Sequence, residues 1–333
     1  MNAVMFMGAG FSRSVGLPLT SELFESNIYI PSTRSEKRFE RVFRIWEKWH
    51  EDNPEKNAEQ FLGHIFSLSK SSNAPVPWKW VVEVVAASIA TPRGLDISRY
   101  NLRYSGRITN PIKCKEHQLF WNIIINKLDL TGVITTNYDL VIERGLRHRK
   151  MIRSDMPGIY YGGIDKPQLL IGTALPLPSR KQNKLIELTG KIPLFKLHGS
   201  LNWSFESGNL IMYQDMRPAF RRGSDAAIIP PLPEKLIPVW LQRTWLEAQG
   251  ALSSSDIWII CGYSLPLYDI AVRDLLEKAS KKNRPKEILI IDPNAKNIEK
   301  KLIEICPVTE ITCLPGLPGG LDPLTKHIDT KFL

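Results

Sequence analysis

Short apolar runs recur along this chain of 333 residues, and small or polar residues follow each run directly. Hydrophobic runs without polar alternation are typical of parallel strands that helices cover on both faces. The carboxyl ends of such strands share one edge of an open α/β sheet, so we expect the following segments to meet in one cleft, as in nucleotide-binding enzymes. The five runs and their following segments are 3–7 before GAGFS at 8–12, 133–134 before TTNYD at 135–139, 194–197 before HGS at 198–200, 257–261 before GYS at 262–264, and 288–291 before DPN at 292–294.

Helical periodicity dominates the long region between the first and second predicted strands. Its first helix carries arginine and lysine residues on the face opposite to an aromatic stripe, which consists of Phe39, Phe43, Trp46 and Trp49. The cationic face is either a solvated surface or a contact surface for a partner or nucleic acid. We predict helices at about 35–49, 58–69, 78–90 and 115–128, and a later helix at about 239–251.

These patterns divide the chain into a core, an insertion and a tail. We expect residues 1–30 and 130–313 to form an α/β core, a Rossmann-like parallel sheet flanked by helices. Residues 31–129 are the predicted helical insertion, and residues 314–333 are a tail rich in proline and glycine. The stretch 151–194 is interpreted as a long excursion beside the cleft.

Composition narrows the class of protein. With 43% hydrophobic and 23% charged residues, the chain is expected to be globular. No stretch approaches the roughly 20 apolar residues of a membrane span, so we expect a cytoplasmic protein without membrane contact. The four cysteines form no CxxC pair and no histidine lies at zinc-finger spacing, which argues against a metal site. The net charge of +10 permits nucleic-acid contact, but no motif supports it.

The segment Gly8-Ala9-Gly10 opens the loop after the first strand. Two glycines there allow backbone N–H groups to approach a pyrophosphate, and Ser12 adds a hydroxyl donor. A third glycine is missing from its usual place because position 13 is arginine, which disfavours an ordinary dinucleotide dehydrogenase. Taken alone, this motif fits a structural turn as well as a phosphate site.

Two later segments carry polar side chains suited to catalysis. In TTNYD, Asn137 and Asp139 could bind sugar hydroxyls, a carboxamide or an ordered water, or Asp139 could simply cap the next helix. His198 is expected at the same edge of the sheet, with a pKa range suited to a general base. The other histidines fall in the tail at His327 and in helical, charged segments at His50, His64, His117 and His148.

The ordered set of GAGFS, TTNYD, KLHGS, GYSLPLYD and IDPN resembles the SIR2 superfamily, specifically its bacterial SIR2-like branch associated with antiphage defence. The resemblance implies a Rossmann-like NAD-binding fold and cleavage of NAD+ to nicotinamide and ADP-ribose. It assigns Asn137 and His198 as catalytic residues. The residues implied to bind NAD are Gly8, Ala9, Gly10, Ser12, Thr136, Asp139, Gly262, Ser264 and Asp292.

The chain departs from protein-deacylating sirtuins at three places. It lacks their four-cysteine zinc ribbon, Thr136 stands where they have glutamine, and Leu19-Thr20 follow Pro18 where they have Phe-Arg. We therefore expect water to be the acceptor and no metal to be required. The alternatives are an NAD-dependent deacylase and a non-catalytic sensor of NAD or ADP-ribose. An unregulated NAD+ hydrolase would poison its host, so we expect a homo-oligomer and control by a partner in trans. The resemblance implies a HerA-type ATPase as that partner.

Overall fold

The computed structural model describes residues 2–24, 33–71, 73–90, 115–146, 158–165, 168–171, 184–187, 191–213, 225–232, 236–267, 269–306, 310–316 and 327. Within these ranges, strands and helices surround one continuous apolar core. The strands are β1 Asn2–Met7, β2 Asp129–Thr135, β3 Ile159–Tyr161, β4 Gln168–Ile171, β5 Lys184–Glu187, β6 Ile192–Lys196, β7 Gly199–Glu206, β8 Asn209–Tyr213, β9 Asp225–Ile228, β10 Ile257–Cys261, β11 Glu287–Ile291 and β12 Ile311–Leu314. The helices are α1 Ala9–Arg13, α2 Thr33–Asp52, α3 Ala58–Lys70, α4 Trp78–Ala90, α5 Lys115–Lys127, α6 Val141–Leu146, α7 Val239–Ser253, α8 Ile270–Lys282 and α9 Ala295–Ile305.

Seven parallel strands form the main sheet, in the order β12-β11-β10-β1-β2-β6-β3. The central strand β1 pairs with β2 on one side and with β10 on the other. The chain fills one half of the sheet first and the other half afterwards, so the strand order reverses between β1 and β10. Ligands of doubly wound sheets bind at such a reversal, outside the carboxyl ends of the strands. The predicted Rossmann-like α/β class is confirmed.

The central strands are buried on both faces. Every residue of β10 and β11 is buried, which explains why these segments contain almost continuous isoleucine, leucine and other apolar residues instead of an alternating pattern. Each of the five predicted strands is present in the main sheet, with bounds that differ from the hydrophobic runs by a few residues.

The predicted set of five strands is nevertheless incomplete. The main sheet also contains the short edge strand β3, inside the stretch interpreted as an excursion, and β12. A second sheet has the order β5-β4-β8-β7-β9, and its strand β7 begins directly after His198. No residue of β12 is fully buried, and β8 is only half buried, so neither requires the apolar run that marks a central strand.

The predicted helices are present within a few residues of their expected bounds. The aromatic stripe of α2 faces inward: Phe39 is fully buried, and the Trp46 ring stacks on Phe24 and contacts Phe61 edge to face. Trp49 also contacts Phe61, at 5.4 Å between ring centroids. The stripe therefore joins the insertion to the core of its own chain.

Candidate functional site

One cavity of about 470 Å³ opens at the carboxyl ends of β1, β2, β6, β10 and β11. This volume lies within the range of small-molecule sites, about 300–1,000 Å³. Ten of the eleven residues singled out from the sequence line it, and Gly8 contributes its backbone oxygen to the wall behind. The ten are Ala9, Gly10, Ser12, Thr136, Asn137, Asp139, His198, Gly262, Ser264 and Asp292.

The loops after β1 and β10 lie against each other at the strand reversal. The N–H groups of Gly8 and Gly10 donate to the backbone oxygens of Cys261 and Gly262, at 3.1 and 2.9 Å. A Cβ on Gly8 would lie 2.5 Å from the Gly262 oxygen, and Gly262 itself has φ +63 with Phe11 N only 2.3 Å from its Cβ position. Close packing of the two loops thus explains why residues without a Cβ occupy these positions. Contact of these glycines with a phosphate stays a prediction.

Asn137 lines the cavity and is 5% exposed. Its Nδ2 donates to the backbone oxygen of Gly8 at 2.8 Å and to Ser12 Oγ at 3.1 Å, while its own N–H donates to Thr135 Oγ1 at 3.0 Å. The described residues supply no hydrogen bond to Asn137 Oδ1. This carbonyl oxygen is therefore the part of the amide that can accept a bond from a sugar hydroxyl or a water.

Asp139 performs the capping role that the sequence left open, and it also lines the cavity. Its Oδ1 accepts the N–H of Val141 at 2.9 Å, at the start of α6. Burial raises the pKa of Asp139, and the charge of Lys196, the Val141 N–H and a hydrogen bond from Ser12 oppose that rise. Ser12 is thus bonded to both Asn137 and Asp139, which makes the three side chains one network.

His198 lies in the short turn between β6 and β7 and is 3% exposed. Its backbone oxygen accepts the N–H of Ile229 at 2.9 Å, and its ring centroid lies 6.0 Å from that of Tyr138 and 6.2 Å from that of Trp245. The next residue, Gly199, has φ +80, and a Cβ there would lie 2.0 Å from the backbone oxygen of Ala227. The histidine backbone is therefore fixed from both sides.

The structure adds lining residues that the sequence did not identify. Glu59 and Asn57, at the start of α3, bring the helical insertion into the wall of the site. Asp269 is 4% exposed and accepts a hydrogen bond from Tyr263 at 2.8 Å. Burial raises the pKa of Tyr138 well above its ordinary value, and the charges of Asp269 and Glu59 add to the effect. The phenol therefore stays neutral, and it donates to the Ile229 oxygen at 2.6 Å.

No sequence signal connects Glu59 to this site, because the side chain reaches it only through the packing of α3 on the core. Asp269 is different: it is the last residue of GYSLPLYD, one of the motifs that carry the family resemblance.

His117 differs from the sequence-based expectation of a charged helical surface. It is fully buried, with its ring centroid 4.4 Å from that of Phe11 and its Nε2 2.7 Å from Ser14 Oγ.

Asp292 and Ser264 lie on the β10–β11 side of the cavity. Asp292 Oδ1 accepts the N–H of Asn294 at 2.8 Å, and partial burial raises the pKa of this carboxyl. The backbone oxygen of Ser264 accepts a hydrogen bond from Lys301 at 3.0 Å. These residues are separate from the network of Asn137, so the cavity has two chemically distinct ends.

Carboxylates predominate among the charged side chains that line the cavity. Arg13 is the one arginine or lysine among the described lining residues, and it pairs with Glu22 at 2.7 Å. The acidic lining residues are Glu59, Asp139, Asp269 and Asp292.

Within the described ranges, His, Cys, Asp and Glu residues form no group of three that could hold a metal ion. In the same ranges, no helix is long and apolar enough to span a bilayer.

A buried amide, a buried imidazole and a buried carboxyl group thus line one cavity. Such a set can order a water molecule, accept its proton and bind polar groups of a substrate, since these are the tasks that amide oxygens and histidines perform in enzymes.

Comparison with known proteins relates the chain to one family. The family profile described as the SIR2-like domain matches residues 131–306, just over half of the chain. Among solved structures, one described as a Sir2 homolog–NAD complex is 15% identical, with a TM-score of 0.43, and the match covers 100% of this chain and 91% of the other. A second, described as the structural basis for the mechanism and regulation of Sir2 enzymes, is 16% identical with a TM-score of 0.45, covering 98% and 90%. No curated protein matches the chain.

Proposed function

Because the chain belongs to the SIR2-like domain family, we propose that it is an NAD+ glycohydrolase, which cleaves NAD+ to nicotinamide and ADP-ribose with water as the acceptor. The observation that carries the proposal is that Asn137 and His198 line one cavity at the strand reversal. Solved structures of Sir2 homologues include complexes with NAD and with ADP-ribose, which supports NAD+ as the substrate here.

The chemistry that this site has to perform is limited. The scissile bond joins ribose C1′ to a cationic nicotinamide, which leaves as a neutral molecule. The enzyme mainly needs to hold the ribose, exclude other nucleophiles and direct one water at an oxocarbenium-like centre. In our proposal, the Oδ1 of Asn137 accepts a hydrogen bond from that water or from a ribose hydroxyl, and His198 accepts the proton.

Ser12 and Asp139 act in support of Asn137. The Ser12 hydroxyl bonds to both Asn137 and Asp139, so the orientation of the amide depends on the network and not on Asn137 alone. We assign Gly262, Ser264 and Asp292 to the phosphate and adenosine end of NAD+. We assign the loop of Gly8, Ala9 and Gly10, together with the Ser12 hydroxyl, to the phosphates of NAD+, and Thr136 to the same ligand.

Charged side chains near Tyr138 support water over an acyl-lysine peptide as the acceptor. Glu59 and Asp269 line the same cavity as His198, and both charges act on the Tyr138 phenol. Buried carboxylates are poor neighbours for a neutral acyl chain, because desolvating them costs free energy that apolar contacts do not return. A deacylase is therefore the second candidate.

One chromatographic assay separates the candidates. Purified protein is incubated with NAD+, with and without an acetylated peptide, and nicotinamide and ADP-ribose are quantified. Release of both products without peptide supports the glycohydrolase. Dependence on the peptide, with formation of O-acetyl-ADP-ribose, identifies a deacylase. Binding of NAD+ without turnover, in the presence of the partner as well as in its absence, identifies a sensor.

We also propose that the chain works in the cytoplasm as a homo-oligomer that depletes NAD+ during antiphage defence, with a HerA-type ATPase as partner. The resemblance of the motif set supports the partner and the biological role. Exposed apolar side chains on and just before α7 support self-association: Leu236 is 89%, Val239 82% and Leu246 69% exposed. Light scattering of the chain with and without the ATPase tests this assembly.

A further inference from the structure

The ammonium group of Lys196 is fully buried beneath the loop that carries Asn137 and Asp139. Its Nζ lies 2.5 Å from the backbone oxygen of Asp139, 2.9 Å from Glu143 Oε1 and 3.4 Å from the backbone oxygen of Tyr138. A lysine ammonium has three N–H donors, and these three acceptors use all of them. The side chain is therefore held in one place.

Glu143 supplies the counter-charge that allows Lys196 to be buried. Its side chain, in α6, is also fully buried, and its Oε1 accepts a second hydrogen bond from Tyr161 at 3.2 Å. A buried ammonium without a partner would cost several kcal/mol, whereas a hydrogen-bonded pair can be close to neutral. The pair thus contributes little to the free energy of folding. Stabilisation alone therefore does not explain why the pair is buried at this position.

Lys196 connects the two halves of the proposed catalytic site. It is the last residue of β6, two positions before His198, and its Nζ bonds to the loop that contains Asn137. Charge-assisted hydrogen bonds are roughly twice as strong as neutral ones. They therefore restrict the distance between the histidine segment and the asparagine loop more firmly than the neighbouring backbone bonds do.

The same charge acts on the side chain of Asp139. Burial raises the pKa of that carboxyl, and the Lys196 ammonium is the largest of the opposing influences. The Asp139 carboxyl group is hydrogen-bonded to Ser12, and Ser12 in turn accepts a hydrogen bond from Asn137. Lys196 thus reaches the catalytic amide by two routes, through the loop backbone and through this network.

We infer that Lys196 is a positioning residue, whose buried ammonium sets the loop of Asn137 and Asp139 against His198, with Glu143 as its counter-ion. The inference rests on the proposed function, since it concerns the geometry for NAD+ cleavage. Lys196 itself does not line the cavity.

The decisive variant removes both charges. Lys196→Met alone leaves the buried Glu143 without a counter-charge, with the Tyr161 hydroxyl as its remaining hydrogen-bond donor, and is expected to be unstable. The double variant Lys196→Met/Glu143→Gln avoids that penalty but still lacks the hydrogen bonds to the backbone oxygens of Tyr138 and Asp139. We expect it to unfold at a denaturant concentration closer to that of the wild type than the single variant does. Its kcat is expected to be about 10- to 100-fold lower, with KM changed less than about threefold.

A matched control is the exposed ion pair of Lys286 and Asp256, at 2.9 Å. The variant Lys286→Met/Asp256→Asn is expected to leave both kcat and KM unchanged. Hydrogen exchange supplies a readout independent of catalysis: the amides of residues 136–141 should exchange faster in the Lys196 double variant, while those of β10 and β11 should not.

Each outcome decides something. Wild-type kcat and unchanged exchange in the double variant overturn the inference, as does failure of that variant to fold, since Lys196 would then serve the fold alone. If the wild-type protein does not cleave NAD+, with or without its partner, the proposed function falls. Faster exchange of residues 136–141 would still establish the positioning role in that case.

Discussion

The side-chain amide of Asn137 donates a hydrogen bond to the backbone oxygen of Gly8 at 2.8 Å, although 129 positions separate the two residues. The bond joins the loop after β2 to the loop after β1, next to the strand reversal. The loop after β1 in turn lies against the loop after β10 through the bond from Gly10 to Gly262. The proposed catalytic amide and the proposed phosphate loop are thus parts of one rigid assembly.

Loss of either catalytic side chain should abolish most NAD+ cleavage. His198→Ala and Asn137→Ala are each expected to lower kcat by about 100-fold or more, the scale on which a general base or a positioning group contributes. The exposed residues His64 and Asn297 provide controls, because His64→Ala and Asn297→Ala remove the same groups away from the cavity. A folded His198 or Asn137 variant with near-wild-type turnover would remove that residue from the mechanism.

Because the loops pack closely at the strand reversal, a side chain larger than that of Gly262 should lower the free energy of unfolding. Gly262→Ala places a Cβ 2.3 Å from Phe11 N at a φ of +63, so we expect a loss of more than about 1 kcal/mol in unfolding free energy. Gly250→Ala is the control, since Gly250 lies within α7 with nothing within 4 Å of a Cβ. It should be neutral or raise the unfolding free energy by about 0.5–1 kcal/mol. Urea denaturation measures both, and equal effects would contradict the packing explanation.

Asp139 should make stability depend on pH in a defined direction. Burial raises its folded-state pKa above the ordinary 3.8, so between these two values the folded chain binds more protons than the unfolded chain. The contribution of Asp139 to the unfolding free energy therefore falls as pH rises through that window and stays low above it. Asp139→Asn keeps an oxygen for the Val141 N–H but does not titrate. The wild-type minus variant difference in unfolding free energy should decrease from low to neutral pH, and a difference that grows would contradict the raised pKa.

Glu59 tests whether the helical insertion contributes to substrate binding. If its carboxylate lies at the nicotinamide end, Glu59→Gln should weaken binding of NAD+ by about fivefold, or about 1 kcal/mol, while ADP-ribose, which lacks the pyridinium charge, should bind as before. Glu55→Gln, on the exposed turn before α3, is the control. Calorimetry with both ligands, carried out in the Asn137→Ala background so that NAD+ is not consumed, measures the effect. Equal weakening of NAD+ and ADP-ribose would place Glu59 elsewhere in the site.

The sequence by itself determined the five contiguous strands β11, β10, β1, β2 and β6 of the main sheet, and most of the residues that line the cavity at their carboxyl ends. Strands covered on both faces need almost continuous apolar residues, so β10 and β11 are visible as runs, and the chain after a parallel strand must emerge at one edge of the sheet. These two constraints are local, which is why Asn137, His198 and Asp292 could be predicted to meet without any knowledge of distances.

Only the tertiary structure decided which other groups meet there. Glu59 comes from a helix whose place against the sheet depends on the packing of Trp46 and Trp49 with Phe61, and no local pattern encodes that packing. The second sheet was not predicted: β8 is only half buried, and its parallel partner β4 lies about 40 positions earlier in the chain. The burial of Lys196 beside Glu143 likewise contradicts what their charges alone suggest. Side chains distant in sequence acquire their pKa values and partners from burial, and burial exists only once the whole chain has folded.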